Sequence, residues 1–117
     1  MSKLSYQRGL GGEEDAKRYL LSLGYEIIEC NFRVPGGEID IIAQDGDEIV
    51  FIEVKSYSEE SMTPLHESIT AGKRRRMIMA AKRYLDTREE KNGRFDVILI
   101  DGSSKIDHIQ RAFDANP

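Results

Sequence analysis

Cysteine is almost absent from this chain, with Cys30 the single example in 117 residues. One thiol excludes an internal disulfide framework and any zinc site built from several cysteines of one chain. Histidine is nearly as scarce. His66 and His108 lie far apart, without the close spacing of histidine metal ligands, so a histidine-type zinc site is also excluded. No apolar run approaches the roughly 20 residues that a membrane-spanning helix needs. The segment Met1-Ser-Lys-Leu-Ser-Tyr-Gln-Arg-Gly has no apolar stretch of the kind a secretion signal carries. A cytoplasmic chain with no membrane partner is the expectation. Positive charge is not in surplus either. The 17 Lys and Arg against 21 Asp and Glu leave a net charge of −4, which argues against a protein that coats nucleic acid through a broad basic face. Gly9-Leu-Gly-Gly12 lacks the lysine and the preceding strand of a phosphate loop.

What is present fits one domain spanning 1–117, with an ordered core over about 9–113 and loosely held ends. Ala16, Tyr19, Leu20 and Leu23 form one stripe of an amphipathic helix from about Gly12, stopped at Gly24. Strands are predicted over Tyr25 to Cys30, Glu38 to Gln44 and Ile49 to Lys55, the last two joined by the hairpin signal Asp45-Gly-Asp-Glu48. A polar loop from Ser56 to Glu67 leads to a second helix over about Thr70 to Asp86. Ile69, Met77, Ala80, Ala81, Tyr84 and Leu85 form its apolar face, and Gly72 suggests an irregular or closely packed first turn. Strands over Phe95 to Ile100 and Ile106 to Phe113 complete the order αβββαββ. That order implies an α/β fold with a mixed sheet flanked by helices.

The predicted hairpin holds three ionisable residues. Asp40 shares a face with Glu38 on one strand, and Glu53 shares a face with Phe51 and Lys55 on the other. Any loop with an even residue count puts Asp40 and Glu53 on the same face, directly opposite or diagonal, with Cβ atoms roughly 4.5–8 Å apart. Two carboxylates that close repel unless a cation lies between them. Mg²⁺ suits the position, since it typically takes one or two carboxylates and completes its shell with water and phosphate. Lys55 would then stand beside the ion, able to orient or help deprotonate a water, or to stabilise charge growing on a phosphoryl group. The plainer alternative is a solvated Glu-x-Lys face with a cross-strand ion pair. Against it, the apolar neighbours Val50, Phe51, Ile52 and Val54 suggest an interior strand, where unpaired charges cost several kcal/mol.

Glu13 falls on the apolar stripe of the first helix, where its carboxylate would lean toward the sheet or simply complement the helix dipole. Lys73 falls on the stripe of Ile69 and Met77. It could snorkel past the core edge, or reach a phosphate at the acidic site. Helix geometry spreads Lys73-Arg74-Arg75-Arg76 around the axis. Only part of this basic stretch, with Lys73, Arg74 and Arg76 as the candidates, is expected to touch nucleic acid.

Taken together, Gly12-Glu13-x-x-Ala16-x-x-Tyr19-Leu20, Gly24-Tyr25, Asn31-x-Arg33, Gly37-Glu-Ile-Asp-Ile-Ile42, Val50-Phe-Ile-Glu-Val-Lys55 and Lys73-x-x-Arg76 resemble the YraN family. This is a bacterial group of predicted endonucleases related in fold to Holliday junction resolvases. The resemblance covers about Gly9 to Phe113. It implies a restriction-endonuclease-like fold with PD-(D/E)XK roles: Asp40 and Glu53 as Mg²⁺ or Mn²⁺ ligands, Lys55 as catalytic lysine, and Glu13 as the helical acid near the metal. Tyr57 stands where the family commonly has an arginine, which removes one phosphate or loop contact. The function expected is a metal-dependent nuclease acting on nucleic acid, with DNA the expected substrate, in repair, recombination or processing. A resolvase-like role would favour a homodimer. The competing expectations are a non-catalytic binder of nucleic acid or protein on the same fold, and a subunit active only within a complex.

Overall fold

A computed structural model describes residues 3–57, 69–88 and 92–115. Helix α1 (Lys3–Ser22) is followed by β1 (Glu26–Val34), β2 (Gly37–Asp45) and β3 (Glu48–Ser56). Then come α2 (Ala71–Asp86), β4 (Gly93–Ile100) and β5 (Ile106–Phe113). The five strands form one mixed sheet in the order β1-β2-β3-β4-β5, antiparallel throughout except between β3 and β4. Parallel neighbours cannot be joined by a tight turn, so the β3-to-β4 connection carries a helix. The predicted order αβββαββ and the mixed sheet flanked by helices are what the fold contains, an architecture compatible with restriction-endonuclease-like proteins.

Alternation along the strands sorts the core into two layers. Ile41, Ala43, Val50, Ile52, Ile98 and Ile100 pack beneath Ala16 and Leu20 of α1. Ile42, Ile49, Phe51 and Phe95 face the other way, onto Met77, Ala80, Ala81 and Tyr84 of α2. The β2–β3 hairpin closes through Gly46-Asp47, with Asp45 opposite Glu48. Gly46 has φ +62°, the conformation a glycine-first two-residue hairpin turn requires.

Several expectations need correction. Helix α1 starts at Lys3, not near Gly12, so the N-terminal segment is not simply a loose end. Gly9, Gly11 and Gly12 hid this, because each glycine counts against a helix by about 1 kcal/mol. Gly12 has a packing reason to be there: a Cβ would collide with the Ser56 hydroxyl of β3. Leu23 lies past the helix end and is 46% exposed, so it does not belong to the buried stripe. β1 continues to Val34 through Asn31, whose φ of 54° and polar side chain interrupt the strand pattern. Gly72 is neither irregular nor crowded; a Cβ there would meet nothing closer than 3.8 Å.

One irregularity matters for the site. The paired residues Cys30 and Ile41 pack with α1, whereas the next pair, Phe32 and Ile39, packs with α2. The β1–β2 hairpin therefore turns over at Asn31 on one strand and Asp40 on the other. Its tip then lies against α2, with Gly37 so close that a Cβ would sit 2.6 Å from the Arg76 carbonyl oxygen and 2.8 Å from the Ala80 nitrogen. Backbone on both sides cannot yield cheaply. Gly37→Ala should cost on the order of 2–3 kcal/mol in urea unfolding, while Gly72→Ala should be neutral or slightly stabilising. Equal effects of the two would show that the tip is not held by this contact.

Candidate metal centre

Asp40 and Glu53 come together because the hairpin loop is even. Ile41 pairs with Ile52 and Ile42 with Phe51; Asp40 and Glu53 lie one residue past the last of these pairs, close enough for the Asp40 carboxylate to act on Glu53. Backbone pairing between β2 and β3 ends at Ile41 and Ile52. Beyond it the Asp40 side chain takes over, its Oδ2 accepting from the Val54 backbone N–H at 2.8 Å. Glu53 is 8% exposed, and its Oε1 is buried with no hydrogen-bond partner. Burial pushes the Glu53 carboxyl up to about 8, with the neighbouring Asp40 carboxylate adding to the rise and Lys73 opposing it. A buried acid with one unsatisfied oxygen and a second acid facing it is a local deficit of positive charge.

Lys73 meets that deficit in part. Thr70 caps α2, its Oγ1 accepting from the Lys73 backbone N–H at 3.1 Å, which fixes Lys73 in the first turn. The ammonium reaches Glu38 Oε1 at 2.9 Å and Glu53 Oε2 at 3.4 Å. Burial pulls the Lys73 pKa down, but the Glu38 hydrogen bond and the charges of Glu53, Glu38 and Asp40 leave it above its ordinary value. Glu38 also faces Arg76 at 3.5 Å and Arg33 at 3.7 Å. Its carboxyl is held below the usual range, mainly by the Lys73 hydrogen bond. Sequence reasoning put Glu38 on the Asp40 face but gave it no role. The available signal was its position two residues before Asp40, together with a lysine at the start of α2.

The remaining predicted residues are less tightly gathered. Lys55 follows Glu53 on β3, is exposed, and makes no ion pair among the described residues. Glu13 lies on α1 with Oε1 buried and without a hydrogen-bond partner. Its charge is felt by Lys17 and by Cys30, which pairs with Ile41, the residue next to Asp40. Among the described residues no three of His, Cys, Asp or Glu converge as a metal-ligand set, so Glu13 does not join Asp40 and Glu53 in one. Arg74 turns back to the Ile69 carbonyl at 3.2 Å, Arg75 is exposed, and Arg76 borders Glu38. Tyr57 packs against Ile69, Val97 and Leu99 instead of presenting a charge. Cys30 is half-buried against the α1 layer. His66 lies outside the described residues.

A second polar cluster, on the α1 face, escaped the sequence altogether. Asp96 is fully buried and accepts from Arg94 Nε at 3.1 Å and from the Arg111 backbone N–H at 3.0 Å, and its Oδ2 lies 2.8 Å from His108 Nε2. Tyr19 closes the other side of His108 at 3.0 Å, and Arg94 donates to Tyr25 at 2.6 Å. These groups satisfy one another, and a buried network in that condition fixes packing without requiring a ligand.

The fold and the acidic pair thus define a mixed α/β domain with a paired-carboxylate centre on the β2–β3 hairpin. The chain belongs to the uncharacterised protein family UPF0102, whose profile matches residues 12–100. A UPF0102 protein of Dechloromonas aromatica (strain RCB) is 44% identical over 109 residues, 93% of this chain and 90% of that one. Those of Persephonella marina and Thermodesulfovibrio yellowstonii are also 44% identical, covering 94% and 90% of this chain and 96% and 94% of their own lengths. Among the described residues no helix is long and apolar enough to cross a membrane.

Proposed function

We propose that this protein is a Mg²⁺- or Mn²⁺-dependent nuclease that hydrolyses phosphodiester bonds. The observation that carries this reading is the buried, unpartnered oxygen of Glu53 across from Asp40. Such a pair is costly without a cation and suited to one. The resemblance to YraN proteins and the PD-(D/E)XK pattern support it. In this reading Asp40 and Glu53 would hold the ion, which would supply positive charge for the phosphoryl oxygen and lower the pKa of a bound water. Lys55, exposed two positions beyond Glu53 on β3, orients the attacking water. The water oxygen bonds to phosphorus as the P–O bond to the leaving sugar breaks, and the proton the water gives up is matched by one taken from solvent at the leaving oxygen. Glu13 acts from α1 as a positioning acid. Lys73, Arg76 and, once released from Ile69, Arg74 contact phosphates. DNA is the substrate class we favour, in repair, recombination or processing, acted on by a cytoplasmic protein and, for a resolvase-like role, by a homodimer.

The second reading is a non-catalytic binder, alone or in a complex. It is favoured by the ion pairs of Lys73, which already offset part of the acidic charge. The two are separated by a cleavage panel of duplex, single-stranded and branched DNA and RNA in Mg²⁺ and Mn²⁺. The parent and Asp40→Asn should be purified identically. We expect the parent to cut at least one substrate and Asp40→Asn to be slower by about a hundredfold or more. A parent inert on every substrate, or matched by the variant, would leave the binder.

A further inference from the structure

We propose that Lys73 is the resident cation of the acidic centre, displaced from Glu53 when a divalent ion binds and retained by Glu38. This rests on the metal-dependent reading above and adds to it a positioning role for Lys73 and Glu38. The Lys73 ammonium contacts Glu38 and Glu53 and feels the charge of Asp40, and the other nearby cations are not equivalent to it. Arg33 and Arg76 reach only Glu38, at 3.7 and 3.5 Å. Among the described residues Lys73 alone is paired to Glu53, and through Oε2, which leaves Oε1 unsatisfied. The ammonium therefore lies where a divalent ion would need to approach, yet it neutralises the carboxylate pair incompletely.

The two contacts of Lys73 are unequal, 2.9 Å to Glu38 against 3.4 Å to Glu53. The Thr70 cap holds its backbone at the start of α2, so any movement is confined to the side chain. The side chain is 23% exposed. When Glu53 turns to an incoming ion, Lys73 keeps its shorter bond to Glu38 and remains beside the centre. There it presents two remaining N–H donors to a phosphate oxygen. Metal binding would thus be an exchange of cations. Lys73 lowers affinity for the ion in the free protein and is released toward substrate as the ion enters.

Calorimetric titration of Mg²⁺ into the full chain, at high enough pH that protons do not compete, tests this exchange. Lys73→Met should bind Mg²⁺ roughly tenfold more tightly, the scale expected from removing one partly screened charge beside a divalent ion. Lys73→Arg should stay within about threefold of the parent, because it keeps the charge. Arg33→Met removes a cation that reaches only Glu38 and should change affinity by less than about twofold. Unchanged affinity in Lys73→Met, or equal tightening in Arg33→Met, would overturn the exchange. The NMR signal of the Lys73 ε-carbon, identified by its loss in Lys73→Arg, gives an independent reading in the unaltered protein. It should shift with Mg²⁺ and saturate with the calorimetric affinity; a signal indifferent to Mg²⁺ also overturns the proposal. Failure of the metal reading itself looks different: Mg²⁺ binding that is absent from the parent, or equal in Glu53→Gln.

Discussion

Lys55→Ala should lose cleavage by a factor of about a hundred or more while keeping metal affinity within about twofold of the parent. The separation follows from where the residue stands. Lys55 is exposed, two positions beyond Glu53 on β3, and pairs with no acid among the described residues. Its removal therefore breaks no ion pair among the described residues. A surface substitution of this kind should change stability by no more than about 0.5 kcal/mol. Asp40 and Glu53 are untouched, so the cation site should persist. What disappears is a positive group placed to orient water or to meet charge that grows only in the transition state. Lys55→Arg should recover little, because a planar fork cannot replace a compact ammonium in orienting one water. Substrate affinity should fall only modestly, as for one lost phosphate contact. The comparison is parent against Lys55→Ala in Mn²⁺, with cleavage, metal binding and DNA binding measured on the same preparations. Equal cleavage by the two would remove Lys55 from the mechanism and with it most of the case for catalysis.

The acidic pair was legible in the sequence because parity carries the register to its doorstep. Strand alternation and an even hairpin loop, supplied by Gly46-Asp47, set the pairing up to Ile41 and Ile52, one residue short of Asp40 and Glu53. The helix and strand order was legible for a similar reason, since apolar periodicity of 3.6 or 2 runs through each central element. What local pattern could not show depends on contacts between distant segments. The β1–β2 hairpin turns over at Asn31 and Asp40, which alternation would deny. Glu38 acquires a role only because Lys73, from the start of α2, meets it at 2.9 Å. The Asp96 cluster draws on α1, β4 and β5, and none of its members carries a motif. The start of α1 was concealed by glycines, one of which, Gly12, is required by a neighbour more than forty residues away.

Without metal, the protein should become less stable as pH rises from about 5.5 to about 9, and Glu53→Gln should abolish most of that decline. The sign follows from the direction of the shift. Burial and the neighbouring Asp40 raise Glu53 from 4.5 to about 8 in the folded chain. Between those values the folded state binds a proton that the unfolded state has released, so stability falls with pH. The contribution is fully present below 4.5 and lost as pH passes through about 8. At about pH 9 the ionised carboxylate would destabilise the fold by on the order of 5 kcal/mol relative to its protonated form. Glutamine mimics that protonated form in size and charge, so parent and variant should diverge with rising pH. Mg²⁺ should act in the opposite sense, restoring stability to the parent at high pH, where Glu53 is ionised, and doing little near pH 5.5. Glu38 and Asp96, both held below their ordinary values, contribute an acid limb at lower pH, outside this window. Urea unfolding of parent and Glu53→Gln across the window, with chelator and with Mg²⁺, measures all four limbs. A stability difference independent of pH would show that Glu53 is already ionised and compensated in the free protein.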